Sequence, residues 1–167
     1  FGAAFTVPGT GLLLNDEMDD FAADLQGSNA YGLSASVANA VQAGKRPLSS
    51  MSPSFLEGPN DFAAFGTPGG SRIPSMNVLS MLEYLNGQTP KQWVATARVH
   101  HQYLPDVQGF EPGALTLQQQ QRLQKKGHTL EELTRNYGNQ QVLLWQKKTG
   151  HSDAASDPRG QGVSLSH

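Results

Sequence analysis

The sequence predicts an α+β fold in which hairpin strands and two or three helices stack as layers. Three observations carry this reading. Hairpin signals alternate with helical stretches along the chain, so sheet and helix are interleaved. Glycine and proline number 18 and 10 of 167 residues, so much of the chain is turn and loop. Charged residues are only 16%, too few for a coiled coil, and the length is that of one domain able to bury a core.

Taken in order, residues 11–14 read as a short buried strand between Gly9-Thr10-Gly11 and the acidic run Asn15-Asp16-Glu17-Met18-Asp19-Asp20. From about 22 to 44 the residues are small and polar without a sustained period, which predicts a mobile loop. Pro47-Leu48-Ser49-Ser50-Met51-Ser52-Pro53 alternates apolar and hydroxyl residues and reads as extended. Residues 54–56 and 62–65 flank Gly58-Pro59-Asn60-Asp61 as a hairpin. Phe65 runs into Gly66-Thr67-Pro68-Gly69-Gly70-Ser71, and Val78, Leu79, Leu82 and Leu85 then mark one face of a helix that Asn86-Gly87 ends.

Thr89-Pro90-Lys91-Gln92 has capping-box spacing, so a second helix starts there through Trp93, Val94 and Ala97. Residues 99–103 read as a strand. The glutamine-rich stretch 112–126 reads as a third helix, packed through Leu115, Leu117 and Leu123 with its glutamines in solvent, and stopped by Gly127. Residues 142–145 and Ala154-Ala155 read as paired strands around Thr149-Gly150, and the tail after Arg159 as frayed.

Composition excludes several function classes. A net charge of −2 leaves no footprint for phosphate backbones, so nucleic acid is not an expected partner. No apolar run approaches the roughly 18 residues that span a bilayer. With no cysteine there is no disulfide framework, thiolate zinc site or cysteine nucleophile.

Four constellations can carry chemistry. Asp16, Glu17, Asp19 and Asp20 can solvate a turn or accept an ammonium group; calcium fails on spacing, because the EF-hand turn glycine falls on Asp20. The interleaved Met18 and Phe21 favour some acids facing inward, where a carboxylate needs a cation. Ser49 and Ser50 can hold a carboxylate or merely bond their neighbours. Gly69 and Gly70 are either a tight turn or two amides aimed at a negative charge, and no lysine follows Gly70 as a phosphate loop would require. His100 and His101 sit on opposite faces of their strand and read as structural, and Arg159 with Asp153 or Asp157 reads as a surface or core salt bridge.

Five collinear blocks then carry a resemblance. They are Leu12-Leu13-Leu14-Asn15-Asp16-Glu17-Met18-Asp19-Asp20-Phe21, Lys45-Arg46-Pro47-Leu48-Ser49-Ser50-Met51-Ser52-Pro53, Gly66-Thr67-Pro68-Gly69-Gly70-Ser71-Arg72-Ile73, His100-His101-Gln102-Tyr103-Leu104-Pro105 and Ala155-Ser156-Asp157-Pro158-Arg159. Together they resemble the small subunit of the γ-glutamyltransferases, which are N-terminal nucleophile hydrolases. The resemblance implies an αββα sandwich completed by a large subunit cleaved from the same precursor. It implies transfer of the γ-glutamyl group of glutathione, glutamine and related amides to water or to amine and peptide acceptors, with no cofactor or metal, in the periplasm or outside the cell.

By the same resemblance Glu17 and Asp20 bind the substrate α-amino group, Ser49 and Ser50 the α-carboxylate, and Gly69 and Gly70 form the oxyanion hole. Tyr31 matches a tyrosine on the lid, which gives the 22–44 segment a gating role. The family's nucleophilic threonine has no counterpart at Phe1, so it is expected upstream, and Thr6 and Thr10 are not substitutes. Asp16, Ala97 and the tail depart from the family pattern. Two rivals are a glutaryl-type acylase of the same superfamily and an inactive γ-glutamyl-binding homologue. Glu17 and Asp20 argue against the first, since a glutaryl group has no α-amine.

Overall fold

The computed structural model describes residues 2–22 and 36–166. The chain divides into two compact units, Phe1–Ser49 and Ser50–His167.

In the first unit, residues 3–7 and 12–14 run antiparallel as a ribbon. Ala3 N–H donates to Leu14 O at 3.0 Å, Leu14 N–H to Phe5 O at 3.0 Å and Val7 N–H to Leu12 O at 2.8 Å. Within this ribbon Thr6 and Leu13 form an isolated antiparallel bridge. The expectation of a buried strand over 11–14 is therefore corrected. Leu12, Leu13 and Leu14 are 64, 44 and 45% exposed, because a two-stranded ribbon has no second layer of its own to cover them. The acidic run turns as a single 3-10 helix, Glu17–Asp20. Asn15 Oδ1 starts it by accepting the Glu17 N–H at 3.1 Å. Phe21 is then buried, and Ala22 bridges Ala40 in parallel.

The second unit contains β1 (Ser54–Glu57), β2 (Asp61–Gly66), α1 (Ile73–Leu85), α2 (Pro90–Ala95), β3 (Val99–His100), β4 (Gln108–Phe110), α3 (Leu117–Lys125), β5 (Leu130–Glu132), β6 (Gln141–Gln146) and β7 (Ser152–Ser156). Strands β1-β2-β6-β7 form an antiparallel sheet in that order. The register puts Leu56, Ala63 and Leu144 in one row and Phe65, Val142 and Ala155 in another, all on one face. That face meets Trp93 and Val94 of α2, with Met81 and Tyr84 of α1 at its edge. Trp93 lies 5.5 Å from the Phe65 ring and takes Tyr84 edge-on at 5.5 Å. Its indole N–H donates to Gln88 O at 2.7 Å, so the ring is buried without stranding its one donor. Removing this ring is worth about 3–5 kcal/mol. The opposite sheet face carries the stacked Phe55–Phe62 pair, 5.5 Å apart, and the exposed Leu143 and Trp145.

The hairpin, the glycine turn between strand and helix, and the β6–β7 pair form where the sequence places them. The face of α1 does not. Val78, Leu82 and Leu85 are exposed, while Ile73, Met76, Asn77 and Ser80 are buried. Hydrogen bonding decides this: Ser80 Oγ donates to Gln140 Oε1 at 2.6 Å, and Gln140 Nε2 donates to Asn77 Oδ1 at 3.2 Å. A helix face whose polar groups are all paired can be buried at little cost.

Three further expectations need correction. The strand expected over 99–103 stops at His100. The third helix starts only at Leu117, where Thr116 and Gln119 exchange backbone and side-chain bonds at 3.2 and 2.8 Å; it buries no residue, and Leu117 itself is exposed. Sequence reading also missed the β3-β4-β5 sheet, in which β4 and β5 run parallel.

Three buried charges and the partly buried Arg159 tie the chain's later segments together. Arg98 pairs with Asp157, and Arg159 pairs with Glu111 at 2.5 Å and with Asp157 at 3.2 Å. Arg159 also donates to the carbonyls of Val94 at 2.9 Å and Thr96 at 3.2 Å. Of the two acids expected near Arg159 it is Asp157 that pairs with it, in the core, and losing a single member of this group would leave an uncompensated buried charge. Among the described residues no helix is long and apolar enough to cross a membrane.

Candidate active site

The first unit holds Glu17, Asp20 and Ser49. Glu17 is exposed on the 3-10 turn, while Asp20 is half-buried at its end. Burial, then the charges of Glu17, Asp19 and Asp16, hold the Asp20 carboxyl above the usual carboxylate range. A cation placed beside Asp20 would relieve that repulsion.

Asn39, which sequence reading missed, connects this turn to the serine segment. Its Nδ2 donates to the Asp20 carbonyl at 2.7 Å and its Oδ1 accepts the Leu48 N–H at 3.0 Å. One side chain thereby fixes the distance from Asp20 to the residue preceding Ser49. The only sequence signal was an asparagine inside a stretch otherwise read as loop. Tyr31 and most of the expected lid lie outside the described residues.

The second unit holds Ser50, Gly69 and Gly70. The Ser50 carbonyl accepts from Ser52 Oγ at 2.8 Å, and the Ser52 carbonyl accepts from Ser54 Oγ at 2.9 Å and from Asn77 Nδ2 at 2.6 Å. The hydroxyl ladder is therefore anchored to α1 through a buried amide. The glycine turn leads into the same helix. Gly69 has φ 145° and Gly70 φ 54°, both in the region that favours glycine. A Cβ at Gly69 would also lie 2.6 Å from Met76 Cε. Among the described residues no acceptor takes the N–H of Gly69 or Gly70. Two adjacent free amides suit an incoming negative charge.

A polar chain steadies the turn from behind. Ser71 Oγ donates to Gln102 Oε1 at 2.7 Å, and His100 Nε2 lies 2.8 Å from the same oxygen. His100 Nδ1 lies 2.7 Å from Ser75 Oγ. Gln102 Nε2 donates to Leu104 O at 3.1 Å, which orients the amide so that its oxygen must accept. His100 therefore carries its proton on Nε2 and accepts the Ser75 hydroxyl on Nδ1. Burial pushes its pKa down, against the Gln102 hydrogen bond and with Arg72 and His101, so the ring is neutral at pH 7. The structural reading of His100 holds, and what it supports is the turn after Gly70.

A family model described as Gamma-glutamyltranspeptidase matches residues 1–166. The chain belongs to this family. The glutathione hydrolase proenzyme of Pseudomonas aeruginosa is 43% identical over 173 residues, which cover 99% of this chain and 30% of that protein. The chain thus spans less than a third of that relative's length. Among solved structures, an acivicin-inhibited gamma-glutamyltranspeptidase superposes with a TM-score of 0.84 at 33% identity, covering 96% of this chain and 87% of that one. The gamma-glutamyltranspeptidase from Pseudomonas nitroreducens complexed with L-DON gives 0.80 at 41% identity, covering 99% and 86%.

The α+β architecture expected for this gamma-glutamyltranspeptidase family, that of the N-terminal nucleophile hydrolases, is the fold of the chain. The helix-backed sheet is one helix layer and one sheet layer of it.

Proposed function

We propose that the complete protein is a γ-glutamyltransferase and glutathione hydrolase for which this chain builds the donor site. In this reading a large subunit from the same precursor completes the αββα sandwich. The observation that carries it is the pair of unengaged amides at Gly69 and Gly70, held in a conformation that glycine favours. Glu17 and Asp20 take the α-ammonium of the donor, and Ser49 and Ser50 donate to its α-carboxylate. A zwitterion held at both ends presents its γ-carbonyl to the two amides, which is catalysis by positioning and electrostatics.

In this reading a threonine nucleophile of the complete protein attacks that carbonyl. Its oxygen bonds to the γ-carbon, the amide C–N bond breaks, and the amine leaves with the threonine's proton. Water or an amine then cleaves the resulting ester. In this reading the protein works in the periplasm or outside the cell, without a cofactor.

The test uses the complete processed protein and a chromogenic γ-glutamyl anilide. Asp20→Ala and Ser49→Ala each lower kcat/KM by about 2–4 kcal/mol in transition-state terms. An unchanged kcat/KM in either variant removes that residue from the site, and no release of glutamate by the wild type contradicts the whole reading.

A further inference from the structure

The sequence contains one Asn-Gly pair, Asn86-Gly87, and it lies at the end of α1. Both residues are exposed. The Asn86 side-chain amide makes no hydrogen bond among the described residues, and a Cβ at Gly87 would meet nothing within 4 Å. An unengaged side-chain amide followed by a nitrogen that no side chain crowds is the pairing in which the main chain can attack an asparagine. The folded helix end holds the two apart. Asn86 has ψ 4°, which turns the Gly87 nitrogen away from the side chain, and the Gly87 N–H donates to Tyr84 O at 2.9 Å. Gly87 takes the left-handed φ of 73° that such a cap favours, and Gln88 N–H completes it by donating to Glu83 O at 3.0 Å.

The same few residues reach the core. The Gln88 carbonyl takes the Trp93 indole N–H at 2.7 Å, and Trp93 is 1% exposed at the centre of the helix–sheet interface. Thr89 then caps α2, which carries Trp93. A change in chain length between residues 86 and 87 therefore moves the carbonyl that satisfies the one donor of a buried ring.

We propose that Asn86 is a site of spontaneous covalent modification, converted to isoaspartate and aspartate when the end of α1 frays, and that the packing of Trp93 registers the change. Fraying frees the Gly87 nitrogen and lets it swing onto the side chain. The nitrogen bonds to Asn86 Cγ and gives up its proton, the Cγ–Nδ2 bond breaks, and Nδ2 leaves with that proton as ammonia. Water then opens the cyclic imide at either carbonyl. Opening at the main-chain carbonyl leaves isoaspartate, whose backbone runs through the former side chain and is one methylene longer, so the bonds from Gly87 and Gln88 no longer fit. Either product adds a carboxylate to the negative end of α1. The proposal stands independently of the γ-glutamyl reading.

The test incubates the complete processed protein at mildly alkaline pH and follows it by peptide mass mapping and amide hydrogen exchange. The peptide carrying residue 86 exchanges the mass of an amino group for that of a hydroxyl before the peptides carrying Asn15, Asn39, Asn60, Asn136 or Asn139 do. It does so about tenfold or more slowly in the folded protein than in denaturant, because the cap must open first. In the modified fraction the amides of residues 87–95 exchange about fivefold or more faster, the lower bound for two lost hydrogen bonds. Asn86→Gln, whose longer side chain closes the ring poorly, stays unmodified. A residue 86 that remains asparagine while another changes, or that changes as fast folded as unfolded, overturns the gated site. A modified fraction whose amides at 87–95 exchange as before overturns the link to Trp93.

Discussion

Replacing Asn39 by alanine isolates a feature found only in the structure. The side chain makes two hydrogen bonds, to the Asp20 carbonyl at 2.7 Å and from the Leu48 amide at 3.0 Å. Each is worth about 0.5–1.5 kcal/mol net, so Asn39→Ala removes about 1–3 kcal/mol of constraint. Asp20 and Ser49 grip opposite ends of the donor in our proposal, and the loss falls on ground-state binding as much as on the transition state. The donor KM therefore rises about 5- to 150-fold. The glycine amides belong to the other unit, so kcat changes less than about threefold by the same rule. Asn39→Asp keeps the acceptor for Leu48 but faces the Asp20 carbonyl without a donor, so its KM rises as well. Initial rates of the processed enzyme over a range of donor concentrations measure this. A donor KM within twofold of wild type in folded, processed Asn39→Ala would refute the reasoning.

Three other outcomes follow from the structure. Gly69→Ala forces a side chain into φ 145° and against Met76, which displaces the amide pair; kcat falls about 10- to 100-fold in steady-state assays while the protein still folds. Asp157→Asn leaves Arg98 without its carboxylate and costs about 3–5 kcal/mol in denaturant unfolding of the complete protein. Burial raises the Asp157 carboxyl, but the Gln140 and Arg159 amides and Arg98 outweigh it, so its pKa is lowered overall. Its contribution is present above the unfolded carboxylate value and is lost as pH falls through the lower folded one, so acid unfolding of the wild type loses this limb in Asp157→Asn. Asp20 has the opposite sign. Its raised pKa favours the protonated form in the free protein, so donor affinity weakens as pH falls through that raised value, and Asp20→Asn removes this dependence in a KM–pH profile.

Much of the fold was legible because it rests on local chemistry. Gly58-Pro59-Asn60-Asp61 turns a hairpin, Thr89 and Gln92 open a helix with Gln92 Oε1 accepting the Thr89 N–H at 2.9 Å, and Gly69-Gly70 turns strand into helix. The α1 face was not legible, since Asn77 and Ser80 are buried by partners more than fifty residues away at Gln140, and no apolar period records such a bond. Strands β4 and β5 have three residues each, too short for alternation to show. In the candidate site, glycines and serines stand out by adjacency. Asn39 acts through contacts across the chain that only coordinates display.

A crystal structure of the complete, processed enzyme with glutamate bound tests the central claim most directly. The account predicts its ammonium group on Glu17 and Asp20, its α-carboxylate on Ser49 and Ser50, and its γ-carboxylate oxygen within hydrogen-bond distance of the Gly69 and Gly70 amides. Glutamate seated elsewhere, or bound with those two amides turned away from it, would contradict the account.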